Sequence, residues 1–468
     1  MLFYVSAIAS IIMIIALLIL LKVKLVKKLK ISLMFVSILI LIGSMTTLGF
    51  FINQNIINSR AVIVWSPELN GYYENVNMQN GDVYTGNIVS GKLDGKGLLE
   101  YKNKSKYIGD FVQNKRDGKG VYTDVLGYTY DGEWKSDEMN GSGKYTFGDG
   151  TVYIGSFINN QLTGKCNVSY LCGDKYEGEY LNSEKSGAGK LVYANGSSYT
   201  GDFLNDARNG NGTYVDISGF TYTGQFKDDL KSGKGKLIFA NKSSYEGNFL
   251  NDKQNGVGTY TDISGWKYSG NWKNNIIDGL GVYTYTNGES FSGNFVLGIK
   301  NGQGVYQYKD GSKYDGMWQN DKWNGKGTYT SSQGFTYCGE YKDGQKSGIG
   351  KYIYADGSVY DGQYILDREN GAGKFISVTG WSYDGNWENG QKNGKGKIIY
   401  KDNSSYSGDW KNNQKSGNGQ YDYYDKDNKY IGQYIGCFSS DKRNGQGIFT
   451  YGNGQVLSGQ WSNDNFIG

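Results

Sequence analysis

The chain has 468 residues, 72 of them glycine and 42 tyrosine, with one proline and no histidine, a composition that excludes collagen and removes the commonest general base and metal ligand. The formal charge of +4 is not evenly spread: residues 1–60 hold six of the 49 basic residues and none of the 45 acidic ones, so the remainder carries 43 basic against 45 acidic. The long remainder is no polycation, and nucleic-acid binding by bulk charge is not expected.

Taken in chain order, the first elements are apolar. Residues 2–21 and 31–52 carry no charge, and each stretch is long enough for a helix to cross a hydrocarbon core of about 30 Å. Between them residues 22–30, KVKLVKKLK, hold Lys22, Lys24, Lys27, Lys28 and Lys30. The pattern predicts a two-helix transmembrane hairpin over residues 1–60. Short lysine-rich loops stay cytoplasmic, so the loop faces inward and everything after Ile52 is expected outside. The first segment lacks a basic flank and is too long for a signal-peptide core. Residues 61–83, which include Pro67, read as a connector.

From Tyr84 onward one pattern repeats. Tyr84, Tyr107, Tyr130, Tyr153 and their successors to Tyr406 follow at steps of 23, with Phe291 standing once for tyrosine. Tyr430 and Leu457 follow at longer steps. A fixed period of this size predicts an array of units too small to bury a core alone. Each unit reads Y-x-G-x-[FWY] and then G-x-G-x-Φ, both of period two, which predicts two strands of one hairpin joined by a polar turn such as QNKRD, residues 113–117.

Period two also assigns faces. Tyr107, Gly109 and Phe111 share one face, as do Tyr130, Gly132 and Trp134, then Tyr245, Gly247 and Phe249, Tyr268, Gly270 and Trp272, and Tyr383, Gly385 and Trp387. Glycine between two rings leaves bare backbone on which an aromatic from a neighbouring strand is expected to lie. On the other face the first strand of each unit carries acids, among them Asp131, Glu246 and Asp384, and the second carries lysines, among them Lys119, Lys236 and Lys397. Adjacent strands therefore carry opposite signs, a ladder of weakly favourable cross-strand pairs.

This hairpin resembles the MORN repeat (membrane occupation and recognition nexus), whose pattern is Y-x-G-x-[FWY] followed by G-x-G. The resemblance covers residues 84–468, about 16.5 units. Departures are Phe291 and Leu457 for the tyrosine, Cys166 for the second glycine, and an insertion near residues 435–442. The fold expected is an all-β antiparallel hairpin meander forming one elongated twisted sheet. At roughly 4.8 Å per strand its contour would be near 150 Å. Family resemblance implies a scaffold that holds proteins together or to membranes.

Chemistry is sparse. Cys166 and Cys172 lie too far apart on one strand for a disulfide. Carboxylates such as Asp131 and Glu133 recur with the charge ladder, and DYYDKDNKY from Asp422 lacks the glycine and distal glutamate of a calcium loop. No enzyme, cofactor or metal is expected. The function read from the sequence is a membrane-anchored, non-enzymatic scaffold or spacer for an unknown protein partner. The alternative is an extracytoplasmic aromatic platform for cell-envelope glycans. The chain ends in half a unit, and an unpaired last strand would invite an end-to-end homodimer.

Overall fold

The computed structural model describes residues 69–468, which divide into two units, 69–208 and 209–468. The expected membrane hairpin, Lys22, Lys24, Lys27, Lys28 and Lys30, and residues 61–68 of the connector lie outside the described residues. Among the described residues no helix is long and apolar enough to cross a membrane.

Each unit is an antiparallel meander in which successive strands pair with their sequence neighbours. The first runs from the strand Gly71–Asn77 to the strand Ser198–Leu204. The second runs from Ala207–Val215, within which the boundary falls, to Asn465–Phe466. The first strand of the first unit, Gly71–Asn77, lies inside the stretch read as connector and pairs with Val83–Val89, so the sheet begins ahead of the first recognisable repeat.

The hairpin turn differs from the expected QNKRD loop. Only Gln113 and Asn114 form it, both with positive φ (50° and 70°), while Lys115, Arg116 and Asp117 already belong to the strand Lys115–Thr123. Two positive φ values in succession are the signature of the type I′ turn, whose twist matches that of the flanking strands. Asn, Asp and Gly fill most of these turn positions because they tolerate left-handed backbone best. Inside the hairpin Gly109 faces Gly120, but Phe111 faces Arg116, so Asp117, Gly118 and Lys119 oppose Asp110 alone. Gly118 absorbs that bulge with a φ of +112°, and the Asp110 carboxylate accepts from the Lys119 amide at 3.1 Å.

At the other end, the strand Val456–Ser462 is not left bare. Trp461 and Ser462 pair with Phe466 and Asn465, the Gln460 amide donates to the Gly468 carbonyl at 2.7 Å, and the Ile467 amide donates to Gln460. The segment 465–468 thus pairs with residues 460–462 of the strand on which an end-to-end dimer is expected.

Candidate interaction surfaces of the repeat array

The repeated tyrosine is a structural residue. In the hairpin of Tyr245 the ring lies back over its own strand, above Gly247, and across the ladder above Gly258, so a Cβ on either glycine would collide with ring atoms or the facing backbone. The expectation that a neighbouring strand supplies the ring holds for the second-strand glycine, Gly258, and is corrected for the first-strand glycine, Gly247, which is covered by the tyrosine two residues before it on its own strand. Its hydroxyl then reaches the carbonyl three residues on, as from Tyr245 to Asn248 (3.0 Å), Tyr107 to Asp110 (3.0 Å) and Tyr383 to Asn386 (3.0 Å). That bond satisfies a phenol that is otherwise removed from water. Burial pushes Tyr245 and Tyr268 up to about 12.

The large aromatic two residues beyond the glycine locks the row. Tyr107 meets Phe111 of its own unit and Trp134 of the next edge-on, at 5.1 and 5.4 Å between ring centroids. Tyr130 repeats this with Trp134 and Phe157, and Tyr245 with Phe249 and Trp272. Such edge-to-face pairs add about 0.5–1.5 kcal/mol beyond area burial. Where the residue is tryptophan its indole N–H finds a fixed acceptor, the carbonyl of the second glycine in the preceding unit: Trp134 to Gly120 (3.0 Å), Trp272 to Gly258 (3.1 Å), Trp387 to Gly373 (2.9 Å). Of the residues singled out on this face, Tyr107, Tyr130, Tyr245, Tyr268 and Tyr383 are fully buried, as are Phe111, Trp134, Phe249 and Trp272, while Trp387 is half-buried. Gly109, Gly132, Gly247, Gly270 and Gly385 lie beneath the tyrosine rings. The buried residues of this face build the array and are not available to stack on a ligand.

One unit breaks the rule, and its sequence says why. Cys166 stands where the second glycine belongs, and its thiol occupies the space above Gly155. Tyr153 is displaced, half-buried, and packs among Phe147, Tyr170 and Tyr180. The Tyr170 and Tyr180 hydroxyls lie 3.2 Å apart.

The opposite face carries the expected charges directly across the ladder. Lys351, Asp361, Lys374, Asp384 and Lys397, all exposed, face one another in turn across successive strands. Ion pairs form between Lys96 and Asp110 (3.4 Å), Lys236 and Glu246 (3.7 Å), and Lys395 and Asp409 (2.7 Å). Each contributes a few tenths of a kcal/mol, so the ladder fixes register more than stability.

A further row escaped the sequence reading. On the aromatic face, two residues after the turn, many units place one side chain against the rings, and its backbone amide donates to the side chain of the second turn residue of the next hairpin unless that residue is glycine. Where that side chain is cationic the turn residue is aspartate in every case but Lys392, and ion pairs join Arg116 with Asp137 (3.2 Å), Lys185 with Asp206 (3.0 Å), Lys231 with Asp252 (3.0 Å), Lys300 with Asp321 (3.6 Å) and Arg443 with Asp464 (3.3 Å). Where it is Leu93, Met139 or Gln254 the turn residue is Asn114, Asn160 or Asn275. The carboxylate accepts the amide and balances a charge that sits on aromatic faces, as Arg116 does on Trp134 at 4.2 Å. The signal was present as a covariation at a spacing of 21 residues.

Hairpins seated tyrosine-on-glycine in an open antiparallel meander define a class of β-repeat protein. Comparison with known families matches the MORN repeat at fifteen stretches, beginning with residues 84–106, 107–125 and 130–152 and ending with 434–456. The chain belongs to the MORN repeat family. The unit of residues 153–175, which holds Cys166, is not among the stretches matched. No curated protein matches. Among solved structures, the chain is similar to the TCP domain of SAS-4 (dCPAP) of Drosophila melanogaster (14% identity, 43% of this chain and 90% of that one, TM-score 0.21). It is similar also to the TCP10 domain of Danio rerio CPAP (13%, 51% and 90%, 0.18) and to a virginiamycin B lyase from Staphylococcus aureus (10%, 70% and 98%, 0.11). At these TM-scores the likenesses carry no argument.

Proposed function

We propose that this protein is a non-enzymatic scaffold, anchored in a membrane through residues 1–60, that presents its MORN array to a partner protein. One observation carries the reading: the chemistry-bearing groups of each hairpin are used within the array. Phenols bond to backbone carbonyls, indoles to glycine carbonyls, and five cations of the aromatic face, Arg116, Lys185, Lys231, Lys300 and Arg443, to turn aspartates. What such a lattice offers outward is a periodic surface, charged on one face and half-exposed aromatic on the other. The membrane anchor and the extracytoplasmic side rest on the two uncharged stretches and on Lys22, Lys24, Lys27, Lys28 and Lys30.

The test is in-cell crosslinking of the full chain followed by purification in mild detergent. A defined protein should co-purify in stoichiometric amount, and charge reversal of Lys351, Lys374 and Lys397 should weaken its capture. Capture of envelope polysaccharide without protein would favour the glycan platform instead. Reporters placed at Asn70 and between the two apolar stretches should lie on opposite sides of the membrane, and signals on one side would remove the two-span anchor.

A further inference from the structure

The cation–aspartate rule has one exception. Lys392 occupies the cationic position, yet the turn residue 21 positions on is Asn413, whose amide oxygen accepts the Lys392 backbone N–H at 2.8 Å. Among the described residues the Lys392 amine makes no ion pair or hydrogen bond; the Lys346 and Lys415 amines make none either, but each of those has an aspartate, Asp367 or Asp441, at the turn position where Lys392 has Asn413. It is half-buried beside three rings, Trp410 at 4.7 Å, Trp381 at 5.3 Å and Tyr383 at 5.4 Å. The neighbouring cation Lys415 is one unit away and acts against it, and the carboxylate nearest in effect, Asp441, is already held by the Lys415 backbone at 2.9 Å.

Rings alone do not explain the arrangement. Lys300 lies 5.3 Å from Trp318 and still has Asp321, and Arg443 lies closer to Trp461 (4.3 Å) than Lys392 does to Trp410 and still has Asp464. A desolvated cation gains most from a charge-assisted hydrogen bond, and here the chain supplies a neutral amide in place of the usual anion. The surface beside the amine is aromatic, with Trp381 stacked on Phe375 and Tyr400 on Tyr421.

We propose that Lys392 is a docking point for a carboxylate side chain of a partner peptide, which takes the part that aspartate plays elsewhere in the row while its neighbouring residue lies on Trp381 or Tyr400. Carboxylate is favoured over phosphate because every paired cation of this row is matched by one carboxylate and a single charge. The inference rests on the scaffold reading and names the chemistry of its partner.

The experiment uses the full chain in mild detergent and two capped tetrapeptides, Trp-Glu-Glu-Trp and Trp-Gln-Gln-Trp, with binding followed by calorimetry. The glutamate peptide should bind about tenfold or more tightly than the glutamine one, the ratio expected from one charge-assisted bond. Asn413→Asp, which supplies the missing carboxylate in cis, should lower affinity for the glutamate peptide at least as far as Lys392→Gln does, without lowering thermal stability. Lys300→Gln, at a paired position, should leave binding unchanged. Equal binding of both peptides, wild-type affinity in Asn413→Asp, or binding of inorganic phosphate with no binding of the glutamate peptide would each overturn the proposal. These outcomes are separable from the scaffold reading, which falls only if no protein co-purifies with the full chain.

Discussion

Tyr245 lies flat over Gly258 on the adjacent strand, so tightly that any side chain on that glycine would occupy the same space as the ring. The motif's glycine is therefore the floor of a seat, and the seat is what each hairpin contributes to the array. Gly247, on the tyrosine's own strand, is closed both by the Tyr245 hydroxyl and by the facing backbone of Gly258. Neither can move without breaking the ladder.

From this it follows that Gly247→Val costs on the order of 1–3 kcal/mol or more, the range of overpacking substitutions. Glu246→Gln, one residue away on the charged face, costs about half a kcal/mol or less, because its partner Lys236 lies in solvent at 3.7 Å. Repeat arrays need not unfold in one step, so the comparison is best made by amide hydrogen exchange of the affected hairpin. Equal protection in the two variants would show that the faces are assigned wrongly.

Phe291 offers the reverse experiment. It is fully buried over Gly293 and Gly304 in the tyrosine seat, but it has no hydroxyl to give to the Asn294 carbonyl. Phe291→Tyr should restore the bond seen from Tyr268 to Asn271 at 3.1 Å and stabilise the unit by about 0.5–1.5 kcal/mol. A loss of stability in thermal unfolding would mean that the seat at Phe291 has relaxed around the missing oxygen.

Much of the architecture was legible because period two and a spacing of 23 act together: one gives strands and faces, the other gives register. The hairpin turn was misplaced because Lys115, Arg116 and Asp117 look like loop residues, whereas a type I′ turn needs only Gln113 and Asn114. The ring over the first-strand glycine comes from its own strand, as at Gly247, which the spacing does not show, since spacing places residues on a face but does not say which way a side chain folds on it. The row of cations was missed for a third reason. Its partners lie in different units, so the relation of Lys231 to Asp252 appears only when two neighbouring hairpins are compared. The strand Gly71–Asn77 carries no repeat motif at all and is ordered by pairing with its neighbour.

The cysteines should differ in reactivity by position. Cys172 and Cys338 are exposed, Cys437 is half-buried, and burial pushes the Cys166 thiol up to about 11. Alkylation near neutral pH should therefore mark Cys172 and Cys338 first and Cys166 last, since the thiolate is the reactive form. Early labelling of Cys166 in the folded protein, read by peptide mass, would mean that the unit around Tyr153 opens freely.

Alkaline pH should unfold the array through its tyrosines. In the folded protein burial raises Tyr245 and Tyr268 from an ordinary value of 10.0 to about 12, and many of their counterparts rise as well. A phenol with a raised folded value holds its proton more tightly in the folded state, so its contribution is fully present below pH 10 and is lost as pH climbs toward 12. Because the seats repeat, the losses accumulate over a narrow interval. Tyrosinate absorbance and the β-sheet circular dichroism signal should change together, above the ordinary phenol range. Tyr268→Phe removes one ionising seat at the expense of one hydrogen bond, so it should weaken the unit near neutrality and make the same unit less sensitive to alkali. Tyrosinate appearing at ordinary phenol values while the β signal persists would mean that the rings are open to solvent and that the tyrosine–glycine seat is not what holds the hairpins together.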